Sequence, residues 1–231
     1  MYQKWMKILM KCALFQGIAA GELLEMLNCL NPKLKNYKKR KNIITIEGER
    51  FTEIGVVLDG EVAVTKENAE GTRVIMTKLG EGELFGEIIA FSRERVWPAT
   101  VITSQPCLIM FVPVAKIVDS CTKRCSSHQQ LIVNMLKIVS NRALMLNRKV
   151  NYLTIKSLRG KISTFLLEQY KKSGQKTFML PLKRQECAEF LNVSRPALSR
   201  EMCRMRDEGM IEFHLETIKI IDLEALKRAR E

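Results

Sequence analysis

The sequence predicts an α+β chain with an N-terminal antiparallel β-roll, one long helix and a C-terminal winged helix-turn-helix. Three observations predict it. Short β-branched segments punctuated by glycines fill residues 42–112, the stretch from His128 to Leu153 holds neither Pro nor Gly, and Leu182 to Ile211 is laid out as two short helices about a tight turn. The expected parts are residues 1–125, a sensing roll; 126–152, the long helix; and 153–231, the winged helix.

The roll comes first in the chain. NIITIEGE, IGVVLDGEVAVTKE, TRVIMTKLGEGELFGE and TVITSQPCLIMFV read as strands, with Gly48, Gly60, Gly71, Gly80 and Gly82 where turns need positive φ. A closed roll of this kind encloses a small cavity. The basic run KLKNYKKRK at 33–41 reads as a solvated loop.

In the long helix, Leu131, Met135, Ile138, Arg142, Met145, Lys149 and Tyr152 fall at alternating steps of four and three. Leu136, Val139, Ala143, Leu146 and Val150 form a second stripe. One stripe is free to cover the roll and the other a twin helix.

The C-terminal segment follows from local chemistry. Cys187, Ala188, Phe190 and Leu191 make the apolar face of a first helix, which Asn192 ends by tolerating a left-handed backbone. Ser194 is placed as an N-cap, and Pro196 sits in the first turn, where its missing N–H is no loss. Ala197, Leu198, Met202 and Met205 turn inward, and Gly209 stops the second helix. Arg195, Ser199, Arg200 and Arg204 remain outward. Arginine at the start of a helix in the major groove grips guanine O6 and N7 bidentately, at about 1–3 kcal/mol of discrimination per pair. Arg195 and Arg200 are therefore the expected base readers, Ser199 a helper, Ser194 and Lys183 phosphate or capping contacts, and Arg204 a further DNA-binding residue. Ile211, Phe213, Ile218 and Ile220 alternate with polar residues about a Leu215–Glu216–Thr217 turn, the pattern of a wing.

Composition agrees with a polyanionic partner: the 231 residues carry a net charge of +13. Residues 151–231 hold 16 Lys and Arg against 11 Asp and Glu, so most of the surplus lies upstream. No apolar run reaches the length of a membrane span and the N-terminus is too charged for a signal peptide, so a soluble, cytoplasmic protein is expected. Seven cysteines without a CxxC fit reduced thiols. No P-loop, nucleophile elbow or HExxH is present, and neither of the two histidines has a catalytic or haem-ligand context, so no enzyme is expected.

Gly48-Glu49, Asp59-Gly60-Glu61-Val62 and the run from Gly80 to Glu87 resemble the cyclic-nucleotide-binding β-roll, and with LNVSRPALSRE the chain resembles the CRP/FNR family of bacterial transcription regulators. The resemblance implies a homodimer joined through the long helix, a palindromic double-stranded operator, contact with RNA polymerase and a small effector in the roll. The two recognition helices of such a dimer lie about 34 Å apart, one DNA turn. It also implies a phosphate-binding cassette around Gly86 and Glu87, ending in an arginine, a small hydroxyl residue and alanine. Here Trp97 and Pro98 stand before Ala99, and Arg95 lies two residues early. An indole offers one N–H and an apolar face, so the expected effector is not cyclic AMP. Arg142, Leu146 and Asn147 align with the helix face that meets the effector. The family's usual glutamate is replaced by Pro196, which implies an altered half-site. The FNR branch's iron–sulfur cluster is not expected, because only Cys12 and Cys29 occur in that region. Two other readings stay open: a module acting through protein contacts, and a thiol switch at Cys12, Cys107 or Cys203. Cys121 and Cys125 with His128 make at most a weak metal set.

Overall fold

The computed structural model describes residues 2–67, 73–118 and 126–230. It divides into two compact units, Met1–Arg142 and Ala143–Glu231. Gly71, Cys121 and Cys125 lie outside the described residues.

In the first unit, α1 (Met6–Lys11) and α2 (Ala20–Leu30) precede the roll, and α2 ends at Asn31 with φ 46°, as a left-handed cap. The strands are β1 (Lys33–Tyr37), β2 (Ile43–Thr45), β3 (Glu53–Asp59), β4 (Val62–Glu67), β5 (Arg73–Leu79) and β6 (Leu84–Phe85). A short helix α3 (Glu87–Ala90) is followed by β7 (Thr100–Thr103), β8 (Cys107–Pro113), α4 (Val114–Val118) and α5 (Ser126–Thr154). They form two four-stranded sheets, β1-β8-β3-β6 and β2-β7-β4-β5, antiparallel throughout. The central strands β3 and β8 are near-continuous apolar runs because both faces are covered.

The basic run at 33–41 corrects one expectation. Its first five residues are not a solvated loop but edge strand β1, paired with β8 from Lys33↔Phe111 to Tyr37↔Cys107. Lysines on an edge strand keep the pairing on one side and deter it on the other. A second correction concerns Gly80, which has no positive φ; Gly82, at 80°, makes that turn, while the Gly80 N–H donates to the Glu83 carboxylate at 2.7 Å.

Two apolar clusters fill this unit. One joins Leu9, Leu14 and Leu23 to Met110 of β8 and to Leu131 and Met135 of α5. The other lies inside the roll and holds Phe51, Phe85, Trp97 and Phe111. Along α5, Asn134 secures the N-terminal segment, its amide donating to the carbonyls of Leu14 at 3.0 Å and Gln16 at 2.7 Å.

The second unit contains the last part of α5, α6 (Leu158–Ser173), β9 (Thr177–Met179), α7 (Arg184–Phe190), α8 (Arg195–Asp207), β10 (Ile211–His214), β11 (Thr217–Ile220) and α9 (Leu223–Arg228). A three-stranded sheet, β10-β11-β9, makes the wing, and β9 is a strand beyond the two that alternation in the sequence predicts. The hairpin turns at Leu215, φ 52°. The core gathers Phe165, Ala188, Leu191, Leu198, Met202, Met205 and Ile218. Tyr152, in the closing turns of α5, is buried with its ring 5.0 Å from that of Phe190.

Candidate effector cavity and nucleic-acid interface

The roll holds a cavity of about 230 Å³. Gly86, Glu87, Trp97, Pro98, Ala99 and Arg142 all line it, with Val64, Leu79, Phe85 and Ile89 among its apolar walls. Leu146 and Asn147 belong to the second unit and are exposed there.

Backbone geometry puts Glu87 in place. Gly86 takes φ 92° and caps α3, and a Cβ there would stand 2.6 Å from the Phe51 ring and 3.1 Å from the Glu53 carbonyl oxygen. Only glycine fits. The Glu87 side chain is therefore held in the interior, 6% exposed, where Oε1 accepts from Nε of Arg142 at 3.1 Å. Burial pushes the Glu87 carboxyl above the usual glutamate range, and Arg142 opposes that rise without cancelling it.

Trp97 is clamped by main-chain bonds. Its N–H donates to the Glu49 carbonyl at 2.9 Å, its carbonyl accepts from Gly48 N–H at 2.9 Å, and Phe51 N–H donates to the Arg95 carbonyl at 2.9 Å. The indole lies 5.0 Å from the Phe51 ring and 6.2 Å from Phe85, and its Nε1 is buried with no partner among the described residues. Arg95, with φ 50°, is exposed and does not line the cavity. Among the described residues the single cation of the lining is Arg142, already paired with Glu87. Convergent donors for a cyclic phosphate are not found among these residues.

Along α5, Leu131 and Met135 are buried, while Leu136 and Leu146 of the second stripe are 63% and 65% exposed. Isolated exposed leucines mean little, but Leu136, Ala143, Leu146 and Val150 are all exposed at one helical period.

In the second unit the two-helix segment is capped as its residues dictate. Asn192 has φ 53°, Ser194 Oγ accepts from Ala197 N–H at 3.3 Å, and Gly209 closes the end of α8 with φ 75°. Lys183 precedes α7, its backbone N–H donating to Glu186 Oε2 at 2.7 Å. Arg195, Arg200, Arg204, Ser194 and Lys183 are exposed and Ser199 half-exposed. Arg195 and Arg200 have no ion-pair partner among the described residues, whereas Arg204 Nη1 donates to Glu201 Oε2 at 3.3 Å. Lys219 on the wing is paired with Glu212 at 3.2 Å.

Sequence reasoning missed the brace behind α8. Arg159 of α6 donates through Nε to Glu201 Oε1 at 2.7 Å, and its two terminal nitrogens grip Glu208 at 2.7 Å each. The available signal was Glu201 itself, a carboxylate on the same helical face as Leu198, Met202 and Met205. Arg184 was missed as well; it contacts Met202 sulfur and lies 5.1 Å over the Phe213 ring, tying α7 to the wing.

Among the described residues no group of three or more His, Cys, Asp or Glu is placed to hold a metal ion. His128 is buried, with Nε2 2.9 Å from the Ile117 carbonyl oxygen. Among the described residues no helix is long and apolar enough to cross a membrane.

Comparison with known proteins identifies both halves. Residues 34–124 match the cyclic nucleotide-binding domain and residues 160–229 the Crp-like helix-turn-helix domain. The chain is 24% identical over 187 residues to the cAMP-activated global transcriptional regulator CRP of Haemophilus influenzae, covering 78% of this chain and 80% of that one. It is 21% identical over 228 residues to the CRP-like cAMP-activated global transcriptional regulator of Mycobacterium tuberculosis, covering 96% and 98%. Among solved structures, the catabolite activator protein of Thermus thermophilus shares the fold, with a TM-score of 0.54 at 19% identity over 94% of this chain and 98% of that one. A cyclic-nucleotide-binding type of roll, a long helix and a Crp-like helix-turn-helix in this order place the chain in the CRP/FNR family of transcription regulators.

Proposed function

We propose that the chain acts in the cytoplasm as a homodimer that binds a palindromic double-stranded operator through α8 and contacts RNA polymerase, under control of a small effector in the roll other than cyclic AMP. The observation that carries the reading is the state of the outward arginines. Arg195 and Arg200 are exposed without ion-pair partners among the described residues, on a helix whose start is capped by Ser194 and whose back is braced by Arg159. Both are poised to exchange water for guanine edges, while Ser194, Ser199, Lys183 and Arg204 serve phosphates and register. Pro196 has no hydrogen-bond donor or acceptor in its side chain, so the half-site is read on either side of it.

The exposed stripe of α5 supports the twofold pairing, because a twin helix removes those leucines from water. An effector that prefers one arrangement of the dimer shifts operator affinity through a coupling of about 1–3 kcal/mol. For the effector, Trp97 and Pro98 replace the donors a cyclic phosphate needs, and Arg142 is half-spent on Glu87.

Selection of bound duplexes from a random pool by the purified chain tests this function. The expected outcome is a twofold-symmetric consensus whose affinity falls steeply with salt. Recovery of no consensus, or binding without salt dependence, contradicts it.

A further inference from the structure

The lining of the roll cavity has two unlike parts. Its walls are apolar and aromatic, with Leu79, Leu84, Phe85, Ile89 and Trp97 in them, while its charged groups among the described residues are the single pair Glu87 and Arg142. We propose that this cavity takes a small planar organic acid, an aromatic ring system bearing one carboxylate, with the rings against the Trp97 wall and the carboxylate on Arg142. The proposal rests on the reading that the roll's effector is not a cyclic nucleotide.

Three observations support this ligand class. The first is size: about 230 Å³ equals roughly eight liquid-water volumes, which suits one or two rings with a short acid arm.

The second is charge. Arg142 spends Nε on Glu87, and its two Nη atoms have no hydrogen-bond partner among the described residues. They present the planar edge that carboxylates match bidentately. Glu87 already balances that guanidinium, so a bound anion leaves the pair with net negative charge, one unit for a carboxylate and two for a phosphate monoester dianion, and an apolar cavity favours the smaller imbalance.

The third is shape. The Trp97 indole belongs to a cluster with Phe51 and Phe85 at 5.0 and 6.2 Å, clamped by the main chain at Gly48 and Glu49. A rigid aromatic wall favours a flat apolar body over a sugar, whose several hydroxyls meet few polar side chains beyond Thr77 and the Glu87–Arg142 pair among the described lining residues.

Isothermal titration calorimetry of the full chain tests the class with two matched pairs, 2-naphthoate against 2-naphthamide and indole-3-acetate against indole-3-acetamide, and with cyclic AMP. At least one acid is expected to bind with a Kd below about 1 mM and about tenfold more tightly than its own amide. Arg142→Lys keeps the charge and loses the fork, and is expected to erase most of that acid preference. Trp97→Phe keeps an aromatic wall and is expected to weaken binding of both members of a pair alike. Should the variants fail to fold, the acid-to-amide ratio on the unaltered protein still decides. Amides that bind as tightly as their acids overturn the anionic class alone and leave an effector-controlled roll in place. Cyclic AMP binding more tightly than either acid overturns this proposal together with the reading beneath it. Absence of binding by every acid overturns the proposal, whatever the DNA-binding result.

Discussion

Nε of Arg159 lies 2.7 Å from Oε1 of Glu201, joining α6 to the buried face of α8. Because Glu201 is only 11% exposed, removing Arg159 leaves its carboxylate in a poorly hydrated site with only the longer contact to exposed Arg204 at 3.3 Å. Arg159→Met is predicted to lower the stability of the second unit by about 2 kcal/mol, below the range for fully buried pairs because Arg159 itself is partly exposed. Combining it with Glu201→Gln should recover part of the loss. Thermal unfolding of the three variants checks this, and equal destabilisation by the single and double changes would contradict it.

The leucines on the outer stripe of α5 predict an oligomer. Leu146 is 65% exposed, so Leu146→Glu should leave each chain folded, within about 0.5 kcal/mol. It is predicted to dissociate a dimer by placing like charges across the twofold axis. Sedimentation velocity of the two proteins reads the outcome; a variant that stays dimeric removes this stripe from the interface.

Glu87 predicts a pH dependence of stability. Its carboxyl is raised by burial, so the folded chain holds a proton that the unfolded chain releases in the interval just above the ordinary glutamate range. Stability is therefore lost as pH rises through that interval and is regained below it. Urea unfolding between about pH 4 and 7 should show a falling contribution that Glu87→Gln removes. Parallel curves for the two proteins would contradict the assignment.

The thiols separate by burial. Cys12, Cys107 and Cys187 are buried and pushed up to about 11, so they remain protonated thiols at neutral pH. Among the described cysteines, exposed Cys29 is predicted to react first with iodoacetamide, with those three protected until the chain unfolds. Peptide mapping after timed labelling measures this. Rapid labelling of Cys12 or Cys107 in the native protein would favour a thiol switch.

Local rules account for what was legible in the sequence. Asn192, Ser194, Pro196 and Gly209 each have one cheap backbone role, and α7, α8 and the wing follow from them. The long helix was legible because nothing from His128 to Leu153 interrupts it. Strand β1 was hidden because Lys33, Lys35 and Lys38 to Lys41 read as solvent, and only pairing with β8 makes a strand of it. Arg159 meeting Glu201 spans 42 residues, beyond any local signal. Trp97 was legible as a departure from the family pattern but not as a wall, since its setting depends on Phe51, Phe85 and a main-chain clamp. Arg95 likewise needed its φ of 50° to be seen as pointing elsewhere than the cavity lining.

Operator binding by Arg200→Ala tests the central claim most directly, with affinity measured by fluorescence anisotropy for the selected duplex and for a scrambled one. A loss of about 1–3 kcal/mol is expected on the selected duplex, with little change on the scrambled one and a smaller loss for the ion-paired Arg204→Ala. Unchanged discrimination between the two duplexes by a folded Arg200→Ala protein would contradict it.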